Sequence, residues 1–199
     1  MEYSEYKKLQ EDGSDWSYNS RWGDQMVDAI TDWFGKDVMA AESPSYAMVS
    51  ILDVGCGEGR GLEALKEMGF QNTAGVDITM EKIQAGMKRG LEIIDDDFNE
   101  MAKFSDDSID YIFCSHTLEH ALDLKQALSS LLRVVKKKIY IIVPIDETEE
   151  SVKANPAHTA PITESVEIAD VLDTLQCEYV WEEKMRMNKE AWFVITKRG

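Results

Sequence analysis

Three glycines in alternation, Gly55, Gly57 and Gly59, follow a short apolar run in the stretch Ile51-Leu52-Asp53-Val54-Gly55-Cys56-Gly57-Glu58-Gly59-Arg60-Gly61. Glycines at a strand-to-helix junction permit a tight turn and let a ligand approach the backbone. The helix that follows presents unpaired N–H groups and a partial positive charge, which suit an anionic group. Two acids share the stretch: Asp53 near the end of the apolar run and Glu58 inside the turn.

Two ligand classes use such a turn, dinucleotides and S-adenosylmethionine. The dinucleotide fingerprint G-x-G-x-x-G requires a last glycine where, counted from Gly55, the chain has Arg60. A shifted frame, Gly59-x-Gly61-x-x-Ala64, fits formally but starts several residues past the strand. Asp53 and Glu58 would repel a pyrophosphate. They favour a ligand that carries an ammonium and a sulfonium, while the helix N-terminus takes its carboxylate. Charge selects the methyl donor.

Stepping outward, the elements that hold this turn alternate in type. Residues 49–54, 73–78, 91–94, 109–114 and 138–143 read as strands, with helical patterns after the glycine turn, over about 80–89, and after Asp123, a residue suited to cap a helix. Strands separated by helical segments imply βαβ units and a parallel sheet covered on both faces. A helix near 164–175 and alternating runs at 179–185 and 191–196, around Asn188-Lys189, add an antiparallel hairpin. Residues 1–48 are polar and aromatic, with one amphipathic helix near 25–34, and read as a cap on a catalytic domain spanning 49–199.

The chain resembles the class I S-adenosylmethionine-dependent methyltransferases, above all the type 11 group. Asp-Val-Gly-Cys-Gly-Glu-Gly at 53–59 is similar to their first motif, Gly75-Val76-Asp77 to the second, and Asp95-Asp96-Asp97-Phe98 to the third. Residues 104–110 and Ser115-His116-Thr117-Leu118-Glu119-His120 resemble the approach to strand four and the exit from it. The resemblance implies a doubly wound, Rossmann-like α/β fold with a seven-stranded sheet, and S-adenosylmethionine as cofactor. It implies donor contacts from Asp53, Gly55, Cys56, Gly57 and Gly59, from Asp77 and Ile78, from Asp97 and Phe98, and from Ser115 and His116. Asp77 would accept from both ribose hydroxyls, as a carboxylate can from a cis diol. Asp97 would meet the adenine amino group. The family's usual glycine-rich turn before strand five is replaced by Val135-Lys136-Lys137-Lys138, so that turn must be tighter, with the lysines solvated.

The remaining candidates lie around the acceptor. His116 and His158 are the candidates for acid–base work, although His116 and His120 read equally well as structural side chains and His158 reads more readily as one that orients its loop. Trp16, Tyr18, Arg21 and Trp22 in the N-terminal arm, with His120 and His158, are candidates for acceptor contact; the arm's aromatics, Tyr3 and Tyr6 included, serve equally as docking residues. With 38 acidic against 21 basic residues the formal charge is −17, which disfavours nucleic acid as acceptor. Asp146, Glu147, Glu149 and Glu150, in the loop expected to border the acceptor, favour a small neutral or cationic acceptor over a polyanion. A protein or peptide methyltransferase and a non-catalytic donor-binding protein share the same motifs. The three cysteines lack metal-ligand spacing and no metal is expected. No apolar run is long enough to span a membrane and no secretory signal opens the chain, so a cytoplasmic setting is expected.

Overall fold

Apolar residues alternate along the central strands so that each strand feeds both faces of a sheet, as a parallel sheet covered on two sides requires. The computed structural model describes residues 1–12, 21–145, 147–175, 179–187 and 189–198, with backbone only at 21, 22 and 185–187. Its strands are β1 (Ser50–Val54), β2 (Asn72–Asp77), β3 (Ile93–Asp95), β4 (Ile109–Ser115), β5 (Val135–Pro144), β6 (Tyr179–Met187) and β7 (Glu190–Lys197). They form one seven-stranded sheet in the order β3-β2-β1-β4-β5-β7-β6. β1 to β5 run parallel, and β7 is antiparallel to both its neighbours. The doubly wound sheet and the C-terminal hairpin read from the sequence are both present.

The helices are α1 (Tyr3–Asp12), α2 (Arg21–Ala29), α3 (Gly35–Glu42), α4 (Arg60–Glu67), α5 (Met80–Lys88), α6 (Leu124–Val134), α7 (Glu149–Ala154) and α8 (Val166–Thr174). A π-helical turn, Ile30–Phe34, joins α2 to α3, so the helix expected at 25–34 is part of a longer rod. On one face of the sheet, Ile51, Phe113 and Tyr140 pack with Ile30, Phe34, Val38, Leu62 and Leu65. On the other, Leu52, Ile112, Ile139 and Ile141 pack with Leu128, Leu131, Ile168 and Leu172. Asp123 caps α6 as expected, accepting from the Gln126 N–H at 3.0 Å.

The lysine run corrects one expectation. Lys136–Lys138 is strand, not a solvated turn, because α6 ends at Val134 and β5 starts at Val135 with no residue between. Each lysine finds a carboxylate: Lys136 lies 3.9 Å from Asp110, Lys137 2.7 Å from Glu42 and Lys138 3.3 Å from Asp37. Beside the junction the pairing of β4 with β5 shifts register between Ile109 and Tyr111.

Close approach of α4 to the sheet rests on Gly61. A Cβ there would stand 2.5 Å from Asp53 Oδ2 and 2.7 Å from Ile30 Cδ1. Gly61→Ala is therefore expected to cost about 1–3 kcal/mol of stability by overpacking, read as a lower midpoint in urea unfolding.

Candidate active site

The parallel strands β1, β2, β4 and β5 all end at the same edge, and the order of the sheet reverses between β1 and β4. Open α/β sheets bind ligands at that point. A cavity of about 580 Å³ occupies it, within the range that holds a small-molecule ligand. Its floor and walls come from the turns that follow these four strands, while Tyr6 and Gln10 of α1 and Ser151 of α7 close it from above.

The first turn is locked from two sides. Gly55, Gly57 and Gly59 all have positive φ, at 71°, 56° and 85°. The N–H groups of Gly55 and Cys56 donate to the Val76 carbonyl at 2.9 and 3.1 Å. From the turn after β4, Thr117 Oγ1 donates to the Val54 carbonyl at 3.0 Å and stands 2.2 Å from where a Cβ on Gly55 would lie. Only glycine fits position 55, on both conformation and space.

Asp77 ties the second turn to the first. Its Oδ2 accepts from the Gly57 N–H at 2.8 Å and its Oδ1 from the Thr79 N–H at 2.8 Å. Each oxygen keeps a further lone pair for a ligand. Asp53 lies beneath this pair. It is 1% exposed, lines the cavity, and its Oδ2 has no hydrogen-bond partner among the described residues. Burial, helped by the negative charge of Asp77, pushes its carboxyl up to about 8. Lys82 of α5 also lines the cavity, and burial holds its ammonium below the usual range against the pull of Asp77 and Glu58.

The acidic run separates by residue. Asp96 and Phe98 line the cavity, whereas Asp97 does not. Asp97 Oδ1 accepts from the Asn99 N–H at 2.9 Å and from its side-chain amide at 2.7 Å. The same amide donates to the Tyr6 hydroxyl at 2.9 Å, so this carboxylate serves the docking of α1. Of these two acids, the structure thus puts Asp96 on the cavity and turns Asp97 toward α1. Adjacent residues point to opposite sides of an extended segment, and a run of three identical acids hides which side is which.

At the other end of the cavity stand three histidines. His116, at a positive φ of 50°, has Nε2 3.3 Å from Glu190 Oε1 and Nδ1 3.0 Å from Ser115 Oγ. Burial would lower its pKa, but the bond to Glu190 and the charges of Glu119 and Glu190 outweigh this and raise it. His120 Nδ1 donates to the Ala157 carbonyl at 2.9 Å, and His158 Nδ1 bonds the Glu147 carboxylate. His158 is also raised, with burial opposing and Glu147 prevailing.

Of the expected site residues, Asp53, Gly55, Cys56, Gly57, Asp77, Ile78, Phe98, Ser115, His116, His120 and His158 all line the one cavity. Gly59 sits one turn behind it, its backbone N–H bonded to the Cys56 carbonyl. Trp16 and Tyr18 fall outside the described residues, as do the side chains of Arg21 and Trp22. Of the rim acids, Asp146 lies outside the description. Glu147 turns inward to the cavity, and Glu149 and Glu150 are exposed on the first turn of α7. Gln10, Lys82, Thr117, Glu119, Lys189 and Glu190 were not singled out in the sequence as site residues, yet all line the cavity. Thr117 and Glu119, within the Ser115–His120 motif already read, left a signal.

Fold and site together define a class: an open α/β protein with an acid-lined ligand cavity at its switch point. Residues 52–143 match the family model for a methyltransferase domain. Over 99 residues the chain is 33% identical to the bifunctional methionine biosynthesis protein MetXA/MetW of Rhodopirellula baltica. That match covers 45% of this chain and 16% of the relative, so the chain spans a small part of that protein's length. Among solved structures, a SAM dependent methyltransferase from Archaeoglobus fulgidus superposes with a TM-score of 0.63 at 19% identity, covering 98% of this chain and 100% of that one. The plantazolicin methyltransferase BpumL, solved with a monoazolic desmethylPZN analog and SAH, superposes with a TM-score of 0.61 at 17% identity, covering 98% and 97%. Residues 52–143 thus match a methyltransferase domain, and the chain shares the fold of S-adenosylmethionine-dependent methyltransferases.

Proposed function

We propose that this chain is an S-adenosylmethionine-dependent methyltransferase that acts on a small neutral or cationic molecule, held between the strand ends and helix α1. The observation that carries this reading is one acid-lined cavity, partly covered by α1 and α7. Carboxylates of Asp53, Glu58, Asp77, Asp96, Glu119, Glu147 and Glu190 border it, against Arg60, Lys82 and Lys189. A polyanion would meet repulsion there, and a folded macromolecule would meet Tyr6 and Gln10 of α1 across the opening.

The residues present fit the donor. The unpartnered Asp53 oxygen, buried among groups that repel an anion, matches a ligand with cationic groups. Asp77 offers acceptors for a cis diol, and Asp96 with Phe98 flanks the far wall for the adenine. S-adenosylmethionine supplies a methyl already activated by its sulfonium, so the chain's task is alignment and exclusion of water. Tyr6 and Gln10 perform the exclusion. Gln10 donates to the Ala157 carbonyl at 3.0 Å and Tyr6 is fully buried, so α1 is fastened to the acceptor loop itself. His116, braced by Glu190 and Ser115, shapes the wall between donor and acceptor.

A screen of small amines, alcohols, thiols and carbon acids, with release of S-adenosylhomocysteine as the readout, tests the reading. Turnover on a small neutral or cationic acceptor is expected. Transfer confined to proteins, or tight binding to RNA or DNA at physiological salt, would overturn it.

A further inference from the structure

We infer that Glu119, His120 and His158 form a binding site for a first-row divalent transition-metal ion, of the zinc, cobalt, iron or manganese kind, at the acceptor end of the cavity. One ligand atom from each residue lies within 4.8 Å of the other two. Ligand atoms at about 2.1 Å from a common ion are at most about 4.2 Å apart, so the three need only draw together by a fraction of an ångström to a little over one.

Four observations point the same way. Glu119 is 1% exposed, and its Oε2 has no hydrogen-bond partner among the described residues. A buried carboxylate oxygen left unpaired is costly unless a cation or donor completes it. Both histidines are anchored through Nδ1, His120 on the Ala157 carbonyl at 2.9 Å and His158 on the Glu147 carboxylate. An acceptor on Nδ1 fixes the proton there and leaves the Nε2 lone pair free, the arrangement found in histidines that bind metals. Glu147 is itself held, its Oε2 accepting from the Ile162 N–H at 2.9 Å, so the support reaches a second layer. The two rings meet edge to face, with centroids 4.7 Å apart at 87°.

Two imidazoles and one carboxylate leave coordination positions open, and all three residues border the cavity. The nitrogen-rich set favours transition metals over magnesium or calcium, which prefer oxygen. An ion held there faces the space that the proposed acceptor occupies, where it would bind an acceptor oxygen, nitrogen or sulfur and withdraw charge from it. Metal binding itself does not rest on the proposed acceptor class.

Titration of the metal-stripped full chain with cobalt(II), without donor, reads the site through visible absorption. One saturable equivalent is expected, displaced by zinc(II). Glu119→Gln and His158→Gln should each weaken binding at least about tenfold, and Glu147→Gln, which removes only the support of His158, by about 10–100-fold. Circular dichroism and retained binding of S-adenosylhomocysteine identify variants that have kept their fold. Absence of a saturable cobalt spectrum in the wild-type chain would overturn the site. So would unchanged binding in folded variants, which would place the ion on the acidic surface. Failure of S-adenosylhomocysteine to bind the wild-type chain, with cobalt binding intact, would count against the donor reading alone.

Discussion

Asp77→Ala is expected to weaken binding of S-adenosylhomocysteine by about 2–4 kcal/mol, on the scale of hydrogen bonds to a charged group. The variant loses two things at once. It removes the acceptors proposed for the ribose diol, and it frees the Gly57 and Thr79 N–H groups that Asp77 holds at 2.8 Å each. The glycine turn is then left without its tie to β2. Asp77→Asn keeps one acceptor oxygen and should lose less. Calorimetric titration of folded variants reads both, and an alanine variant with wild-type affinity would remove Asp77 from the donor site.

Donor affinity is also expected to fall steeply with pH below about 8. The cause is Asp53, whose burial and whose neighbour Asp77 push its carboxyl up to about 8. In the free protein it therefore carries a proton at neutral pH, whereas a bound cation favours the carboxylate. Binding must expel that proton, at about tenfold in affinity per pH unit. Between about pH 5.5 and 7 the donor's amine remains an ammonium, and Asp53→Asn separates the part of the slope that belongs to Asp53 from that of His116 and His158, which line the same cavity with raised pKa. The stability of the free chain runs with the opposite demand. A carboxyl raised from about 3.9 in the unfolded chain to about 8 in the folded one stabilises fully below about pH 4, and that contribution is lost as pH rises toward 8. Calorimetry in buffers of different ionisation enthalpy should show about one proton released at pH 6.5. Asp53→Asn should release none, and a wild-type profile flat with pH would contradict the role given to this acid.

The parts legible in the sequence are those set by local chemistry. β1 with its glycine turn, Asp77 at the end of β2 and the Asp123 cap each follow from residue type and immediate spacing, and each stands where those dictate. What stayed hidden depends on contacts across long sequence distances. Helix α1 buries only Tyr6 and Gln10, too few for a visible apolar stripe, and is fixed by Asn99 and Ala157 from remote loops. Asp96 and Asp97 are identical in type, and only the docking of α1 against Asn99 separates them. The lysines at 136–138 read as solvated because their partners, Asp37, Glu42 and Asp110, lie on other elements. Helix α7 did leave a local mark: Thr148 and Ser151 form a reciprocal capping box, with N–H to hydroxyl distances of 3.2 and 2.8 Å. Glu119 and His120 are neighbours in sequence, but His158 is brought to them by bonds between remote segments, from Gln10 and His120 to the Ala157 carbonyl and from the Thr159 hydroxyl to the His120 and Ala121 carbonyls.

A crystal of the full chain grown with S-adenosylhomocysteine puts the donor site to the most direct test. Expected is a ligand lying over Gly55 and Gly57, its ribose hydroxyls on Asp77, its amine toward Asp53, and its adenine between Asp96 and Phe98. A ligand bound elsewhere, or a turn that takes NAD in preference, would contradict the electrostatic match on which the proposed assignment of these residues rests.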